Sequence, residues 1–261
     1  MENRREIAIN HTQKMAEEYA EEIAESIRRT VIYDPEEIEE IKMRKPKNRT
    51  KIEVINNKIV EELFANKLFF HDYDKTAVLN FANFTVPGGG FIRGVMAQEE
   101  ALCHGSFLYN VLSDEGIEEK YYQENIMTNE LYTNRILYSP DIRFVKEDTN
   151  ETVRADVITC AAPNARTAYW MPAERIKSAM ESRIDAILAV ASKENVQNLF
   201  LGAFGCGEFG NDPEVVAEIF KEKLKGKYKN VFQYVAFVIP DNGVSKNYKV
   251  FKEKFKKRFW F

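Results

Sequence analysis

Two glycine-rich segments of this 261-residue chain carry residue types that could bind an anion and cleave a bond. In the first, the glycine triplet 88–90 is followed, after a gap of seven residues, by Gln98-Glu99-Glu100. Three consecutive glycines let the backbone approach a ligand closely. Adjacent glutamates at a helix start lie about 100° apart around the helix axis, so one can face a cleft while the other lies beside it. A flexible loop followed by an acidic helix start is the simpler interpretation, because each motif alone is common.

The second segment, 205–210, reads GCGEFG and lies between an apolar strand pattern and a helical pattern. A glycine-rich turn in that position presents backbone N–H groups and a helix N-terminus to an anion, most often a phosphate. Asn211 or Asp212 is expected to cap the following helix, with Pro213 at its first position. The GxGxxG spacing is also typical of dinucleotide-binding Rossmann domains, but no acidic residue closes a strand about 20 residues further on, which disfavours that alternative.

Strand and helix patterns alternate along the chain, which predicts a three-layer α/β/α fold with a mixed, largely parallel sheet. Helical spacing predicts a short charged helix after residue 37 and longer helices over 11–30, 58–67, 97–112, 172–193, 212–225 and 246–257. Strands are predicted over 50–55, 76–82, 134–138, 142–147, 155–160, 197–203 and 231–239. Ligands bind such sheets at the carboxyl ends of the strands, where both glycine segments and a loop at 161–166 fall. We place the boundary between an N-terminal helical extension (1–48) and the main domain (49–261) near residue 48.

Composition excludes several classes of protein. No apolar run reaches the roughly 20 residues of a membrane-spanning helix, and the charged N-terminus lacks the apolar core of a signal peptide, so a cytoplasmic location is expected. The net charge of −4 argues against a surface that coats nucleic acid in general. Three cysteines and three histidines show no metal-ligand spacing, so neither a metal nor a cofactor is expected. HDYD (71–74) is more typical of a turn, and the aromatic residues of the basic tail (252–261) are expected to pack on the domain.

Taken together, the two segments resemble the signature of the bacterial-type poly(ADP-ribose) glycohydrolases. The resemblance extends to LNFAN (79–83), VITCAAPN (157–164) and LGAFGCGEFGNDPEVVA (201–217). It implies a macrodomain, in which ADP-ribose lies in a cleft at the strand ends. It also implies a monomeric enzyme that hydrolyses the ribose–ribose O-glycosidic bonds of poly(ADP-ribose), or of an ADP-ribosylated macromolecule, and releases ADP-ribose. The sequence departs from the family pattern in two places: Thr85-Val86 precede Pro87 where the family often has a polar residue, usually asparagine, and Glu208 stands where an apolar residue is usual.

The resemblance assigns roles to single residues. Glu100 is expected to be the catalytic acid, because cleavage needs a proton on the leaving oxygen, and Glu99 to bind the ribose next to the scissile bond. Asn80 is expected near the distal ribose, and Phe209 is expected to pack on the ligand. The remaining ligand-binding residues belong to the two loops and the helix start and are Gly88, Gly89, Gly90, Gln98, Gly205, Cys206, Gly207, Glu208 and Gly210. The substrate's own diphosphate is thought to position the water, so that one acid suffices.

Two other functions stay open at this point. A macrodomain can bind ADP-ribose without cleaving it, although such a module would not need the carboxylic acid of Glu100. The chain could instead release ADP-ribose from mono-modified protein or nucleic acid.

Overall fold

The computed structural model describes residues 3–46, 49–67, 74–127, 129–146, 148–241 and 243–256. The predicted boundary at residue 48, most of the HDYD segment and the last five residues of the basic tail lie outside this range.

Strands and helices alternate over most of the chain. The strands are β1 (Val31–Tyr33), β2 (Lys51–Ile55), β3 (Thr76–Phe81), β4 (Ile136–Lys146), β5 (Glu151–Cys160), β6 (Asn198–Leu201) and β7 (Tyr234–Val238). The helices are α1 (Arg4–Glu18), α2 (Ala20–Arg29), α3 (Pro35–Glu39), α4 (Ile59–Asn66), α5 (Gln98–His104), α6 (Leu108–Leu112), α7 (Glu115–Ile117), α8 (Ala173–Lys193), α9 (Pro213–Lys225) and α10 (Asn247–Phe255). A 3₁₀ turn (Phe91–Arg93) follows the glycine triplet.

The strands form one mixed sheet in the order β1-β4-β5-β3-β6-β7-β2. The five strands from β5 to β2 in this order are mutually parallel, whereas β4 runs antiparallel to both β5 and β1. The predicted mixed, largely parallel sheet is therefore confirmed. Because the parallel strands end at one edge, the loops that follow β3, β5 and β6 meet there, and these loops contain both glycine segments and VITCAAPN.

Two hydrophobic cores lie on opposite faces of the sheet, because successive side chains of a strand point to opposite sides. In β3, Ala77 and Leu79 belong to one core and Val78 to the other. The first core is covered by α3, α8, α9 and α10, and the second by α1, α2 and α4 to α7. This arrangement confirms the predicted three layers.

The N-terminal segment is built into this architecture. β1 extends the sheet by pairing with β4, and Ala8 and Met15 of α1 are completely buried in the second core. The sequence indicated only helices here, because a three-residue strand is too short to show alternation. The division into an N-terminal extension (1–48) and a main domain (49–261) stays a prediction.

Several predicted elements differ from the observed ones. The predicted helix 11–30 is two helices that meet at Tyr19, whose backbone leaves the helical region and whose ring packs against Phe107. The predicted helix 97–112 is interrupted at Gly105, which ends α5, and Ser106, which bridges to β4. The two strands predicted over 134–147 are one strand, in which a register shift after Ser139 interrupts the apolar pattern. No helix of the described residues is long and apolar enough to cross a membrane.

Candidate active site

Gln98 joins the start of α5 to the end of β3. Its side-chain oxygen accepts a hydrogen bond from the Phe81 N–H at 2.8 Å, and its side-chain nitrogen donates to the Leu79 carbonyl oxygen at 2.8 Å. The amide thereby satisfies one donor and one acceptor of a strand end, as a neighbouring strand would. Gln98 lines the cleft, as predicted for a ligand-binding residue, and it also places the next two residues at the strand ends.

Glu100 is held by backbone donors from two elements. Its Oε2 accepts a hydrogen bond from the Ala97 N–H at 3.0 Å, as a glutamate in the first turn of a helix commonly does. Its Oε1 accepts from the Gly90 N–H at 2.8 Å. Glu100 is 5% exposed and lines the cleft, and these two hydrogen bonds fix the orientation of its carboxyl group against the glycine triplet.

Glu99 lies beside it and is held by two asparagines. Its Oε1 accepts from the Asn80 side chain at 3.1 Å, and its Oε2 accepts from the Asn83 N–H at 2.8 Å. Burial raises the pKa of Glu99 to about 8, against the effect of these two hydrogen bonds, and the neighbouring charge of Glu100 adds to the increase. Glu99 is therefore protonated at neutral pH.

Asn80 does not line the cleft. Its side chain is completely buried behind Glu99, where it also contacts the Thr159 hydroxyl at 3.3 Å, and its Oδ1 has no hydrogen-bond partner. The segment LNFAN contains a second asparagine, Asn83, and that residue lines the cleft. Of the two asparagines, Asn83 therefore lines the cleft, and Asn80 supports the Glu99 carboxyl group from behind it. Both asparagines were visible in the sequence, but which of them faces the cleft depends on the bend after β3.

The glycine triplet lies against both glutamates. Gly88 and Gly89 adopt left-handed backbone conformations with φ of 62° and 58°. A Cβ atom on Gly89 would lie 2.8 Å from Oε1 of Glu100 and 2.9 Å from Oε2 of Glu99. A side chain at this position would therefore displace the two carboxyl groups.

The second glycine loop is tied to the loop after β5. Asn211 donates from its side chain to the Gly205 carbonyl oxygen at 3.0 Å and to the Pro163 carbonyl oxygen at 2.8 Å. Asp212 caps α9 by accepting from the Glu214 N–H at 3.1 Å, which confirms the cap and Pro213 at the first helical position. Nothing in the sequence indicated that the Asn211 side chain joins the two loops, apart from its position next to the helix cap.

An aromatic contact connects the two sides of the cleft. Phe209 is half-buried and lines the cleft, and its ring lies edge-to-face with Tyr132 at 6.0 Å between centroids. Tyr132 in turn stacks on Phe84, at 4.3 Å, close to the glycine triplet. Sequence reasoning missed Tyr132, because it belongs to no motif.

Glu208, the acidic residue at a usually apolar position, lies at the exposed rim of the cleft. Its side chain is 85% exposed and pairs with Arg166 at 3.4 Å. The neighbouring thiol of Cys206 has its pKa raised to about 12 by burial, so it stays protonated and does not act as a nucleophile at neutral pH.

Two adjoining cavities make up the cleft. One, of about 310 Å³, holds Glu99 and Glu100 between the two glycine loops, and Gly89, Gly90, Gly205, Gly207, Glu208 and Phe209 line it. The other, of about 930 Å³, contains Cys206 and apolar side chains such as Phe64 and Val238. The two cavities share Phe81, Ala97, Gln98 and Gly207. Of the predicted site residues, Gly88, Gly210 and Asn80 line neither cavity. Within the described ranges no three His, Cys, Asp or Glu residues come together as a metal site.

Comparison with known proteins gives matches over most of the chain. The family model described as microbial-type PARG (poly(ADP-ribose) glycohydrolase), catalytic domain, matches residues 5–147. The solved poly(ADP-ribose) glycohydrolase of Thermomonospora curvata is 30% identical with a TM-score of 0.86, and the match covers 97% of this chain and 99% of that chain. The Deinococcus radiodurans enzyme, solved in complex with ADP-ribose, is 31% identical with a TM-score of 0.80, covering 89% and 96%. A search of curated protein sequences gives no match.

Proposed function

This chain belongs to the microbial-type poly(ADP-ribose) glycohydrolase family, and from that membership we propose that it hydrolyses the ribose–ribose O-glycosidic bonds of poly(ADP-ribose) and releases ADP-ribose. The observation that carries the proposal is the pair of buried carboxyl groups, Glu99 and Glu100, at one end of a cleft between two glycine loops. A module that only binds ADP-ribose has no need of a carboxylic acid at that point.

The shape of the cleft suits the two halves of ADP-ribose. The terminal ribose fits the cavity of about 310 Å³ beside the carboxyl groups. The adenosine half fits the larger cavity, whose apolar wall includes Phe64, Val238 and Pro240. The diphosphate then lies where the cavities join, against the backbone of the second glycine loop at Gly207, where N–H groups can bind it without a net positive charge.

Glu100 supplies the proton that cleavage needs. As the bond between the anomeric carbon of the terminal ribose and the oxygen of the preceding unit breaks, positive charge develops on the ribose. Glu100 donates its proton to the leaving oxygen, water adds to the anomeric carbon, and the proton lost by that water restores the acid. The hydrogen bonds from Gly90 and Ala97 keep the carboxyl group in reach throughout.

Glu99 positions the same ribose. Because its pKa is about 8, it is neutral at pH 7 and can donate a hydrogen bond to a ribose hydroxyl. Asn80 and Asn83 hold it in place from behind.

The test is to compare substrates. The purified chain is incubated with poly(ADP-ribose) and, separately, with a mono-ADP-ribosylated protein, and released ADP-ribose is measured by chromatography. We expect release from the polymer. Release from the mono-modified protein alone would replace the proposed substrate, and tight binding of ADP-ribose without release from either would make the chain a binding module.

We also propose that the protein acts in the cytoplasm and as a monomer, as the sequence predicts. Cell fractionation and light scattering of the purified chain test these two points, and a stable dimer in solution would contradict the second.

A further inference from the structure

The first turn of α1 lies at the rim of the cavity that holds the two glutamates. Gly94 adopts a left-handed conformation, and a Cβ atom there would lie 2.7 Å from the Cβ of Arg4 and 3.3 Å from the backbone nitrogen of Arg5. The residues on either side of Gly94, Arg93 and Val95, both line this cavity. The start of α1 therefore lies next to the part of the smaller cavity that Arg93 and Val95 line. Neither of these two residues lines the larger cavity.

Three arginines belong to the two segments that pack together here. Arg4, Arg5 and Arg93 are all exposed, and none has a carboxylate partner within 4.0 Å in the part of the chain that the structure describes. Some other arginines of the chain do have such partners: Arg143 pairs with Glu22 at 2.8 Å, and Arg135 with Asp34 at 2.6 Å. Three arginines without a carboxylate partner among the described residues thus belong to two segments that contact each other beside the smaller cavity, in a chain of net charge −4.

Arg4 and Arg5 are unfavourably placed for helix stability. They are the first two residues of α1, where the helix dipole disfavours cations and favours anions. Glu6, the acidic residue of the same turn, accepts a hydrogen bond from the Asn3 N–H at 3.4 Å and helps to cap the helix. The two arginines therefore oppose the local preference of the helix, which indicates a role outside folding.

We propose that Arg4, Arg5 and Arg93 bind the diphosphate of the ADP-ribose unit on the leaving side of the scissile bond. The inference rests on the proposed function, because it places the terminal ribose beside Glu100 and its adenosine half in the larger cavity. The leaving unit must then depart from the smaller cavity away from the larger one, and Arg93 lines a part of the smaller cavity that the larger cavity does not share. Each polymer unit carries a diphosphate, and guanidinium groups bind phosphate oxygens through paired N–H donors. These arginines make the polymer a better substrate than a single ADP-ribose unit attached to a protein.

Charge reversal at the helix start tests the proposal. The test variant is Arg4→Glu/Arg5→Glu. The control variant, Lys225→Glu/Lys229→Glu, makes the same change of net charge at two exposed positions that precede β7 and lie remote from the cleft. A third variant, Arg4→Lys/Arg5→Lys, keeps the charge. Polymer turnover is measured for each at several salt concentrations, together with the Kd for ADP-ribose and the Tm.

The arginine-to-glutamate variant should raise KM for the polymer by about fivefold or more at low salt, and the slope of log KM against log salt should fall by about 0.7 for each phosphate that the protein no longer neutralises. Its kcat and its Kd for ADP-ribose should stay within about twofold of the values for the parent. Its Tm should not decrease, because glutamate suits the helix start. The lysine variant should keep most of the parent's KM.

Three results would overturn the proposal. An unchanged KM and salt slope would show that the arginines do not meet the polymer. A loss of ADP-ribose affinity or of kcat would mean that α1 acts through the glycine triplet. The same change in the Lys225/Lys229 variant would indicate a long-range effect of net charge. Failure of the parent chain to cleave the polymer would instead count against the proposed function, so the two failures are distinguishable.

Discussion

At the scale of the residue, two neighbouring glutamates differ in what surrounds them. Glu100 takes both of its hydrogen bonds from backbone N–H groups, one in its own helix and one in the glycine triplet. Glu99 takes one from a buried side chain, Asn80, and one from the backbone of Asn83. Different donors thus hold the two carboxyl groups side by side, and burial keeps Glu99 neutral.

The raised pKa of Glu99 gives a stability that depends on pH. In the folded protein the pKa of Glu99 is about 8, whereas the ordinary pKa of a glutamate is 4.5. The protonated side chain therefore contributes its full stabilisation of the folded state below pH 4.5, and this contribution is lost as the pH rises through 8. Glu99→Gln cannot titrate. We expect the Tm of the parent minus that of Glu99→Gln to shrink between about pH 5 and about pH 9, in thermal unfolding. A difference that stays constant over this range would show that Glu99 titrates at its ordinary pKa.

Phe209 should contribute through its ring. It lines the cavity and rests edge-to-face on Tyr132. Loss of one stacking ring reduces the free energy of binding by about 1–3 kcal/mol. Phe209→Ala should therefore weaken ADP-ribose binding, measured by calorimetry, by roughly ten- to a hundredfold. Tyr132→Phe keeps the supporting ring and serves as the control, with affinity close to the parent. Unchanged affinity in a folded Phe209→Ala variant would mean that the ring belongs to the core only.

Motif recognition finds residues better than it finds their directions. The resemblance to the family placed the glycine triplet and the two glutamates at one ligand, and in the structure Gly89 lies against both carboxyl groups. It could not show that Asn80 is buried behind Glu99, since that depends on which face of β3 meets α5. Tyr132 was invisible for a similar reason: its contacts come from parts of the chain far apart in sequence.

At the scale of the element, α1 and the 3₁₀ turn (Phe91–Arg93) act together. The ring of His11 in α1 lies edge-on to that of Phe91 at 6.4 Å, and Gly94 closes the turn where α1 begins. Because Gly90 at the start of this turn donates to Glu100, the packing of α1 extends to the site.

Gly94→Ala should reveal this connection. Its Cβ would clash with Arg4, whereas Gly243, with a similar φ of 74°, has open space around it. Gly243→Ala should cost about 1–2 kcal/mol in free energy of unfolding for the left-handed backbone. Gly94→Ala should cost about 1–3 kcal/mol more for overpacking, measured by urea denaturation. It should also weaken ADP-ribose binding. Equal losses of stability in the two variants would show that α1 moves away from the added Cβ atom at no cost in stability.

Long periodic elements were predictable, and short or interrupted ones were not. The buried strand β3 and the long helix α8 lie within two residues of their predicted bounds, because many positions contribute to each pattern. β1 was missed, and the interruption at Gly105 depends on a bridge from Ser106 to β4 that only the folded sheet provides.

At the scale of the whole molecule, both ends of the cleft depend on elements far apart in sequence. α1 lies beside the cavity of the glutamates, while the segment after β7 borders the larger cavity at Pro240 and Asn247. The sheet brings them to one edge, since its parallel strands end together. The fold class was predictable from the alternation of elements, whereas the integration of the N-terminal helices was not.

The molecule should work without a divalent metal. Glu99 and Glu100 accept hydrogen bonds from N–H donors, which a metal ion at the same oxygens would have to displace. Polymer hydrolysis should proceed at the same rate in excess EDTA. A loss of activity that magnesium restores would contradict this mechanism and would place the chain's chemistry with metal-assisted hydrolases.

The central claim is that Glu100 is the acid of a poly(ADP-ribose) glycohydrolase, and Glu100→Gln tests it most directly. The amide keeps the shape of the side chain but has no proton to give. The rate of ADP-ribose release from the polymer should fall by at least about a hundredfold. The Kd for ADP-ribose, measured by calorimetry on the same preparation, should change by no more than about threefold, because the binding surface is intact. A Glu100→Gln variant that cleaves the polymer at the parent's rate would contradict the claim.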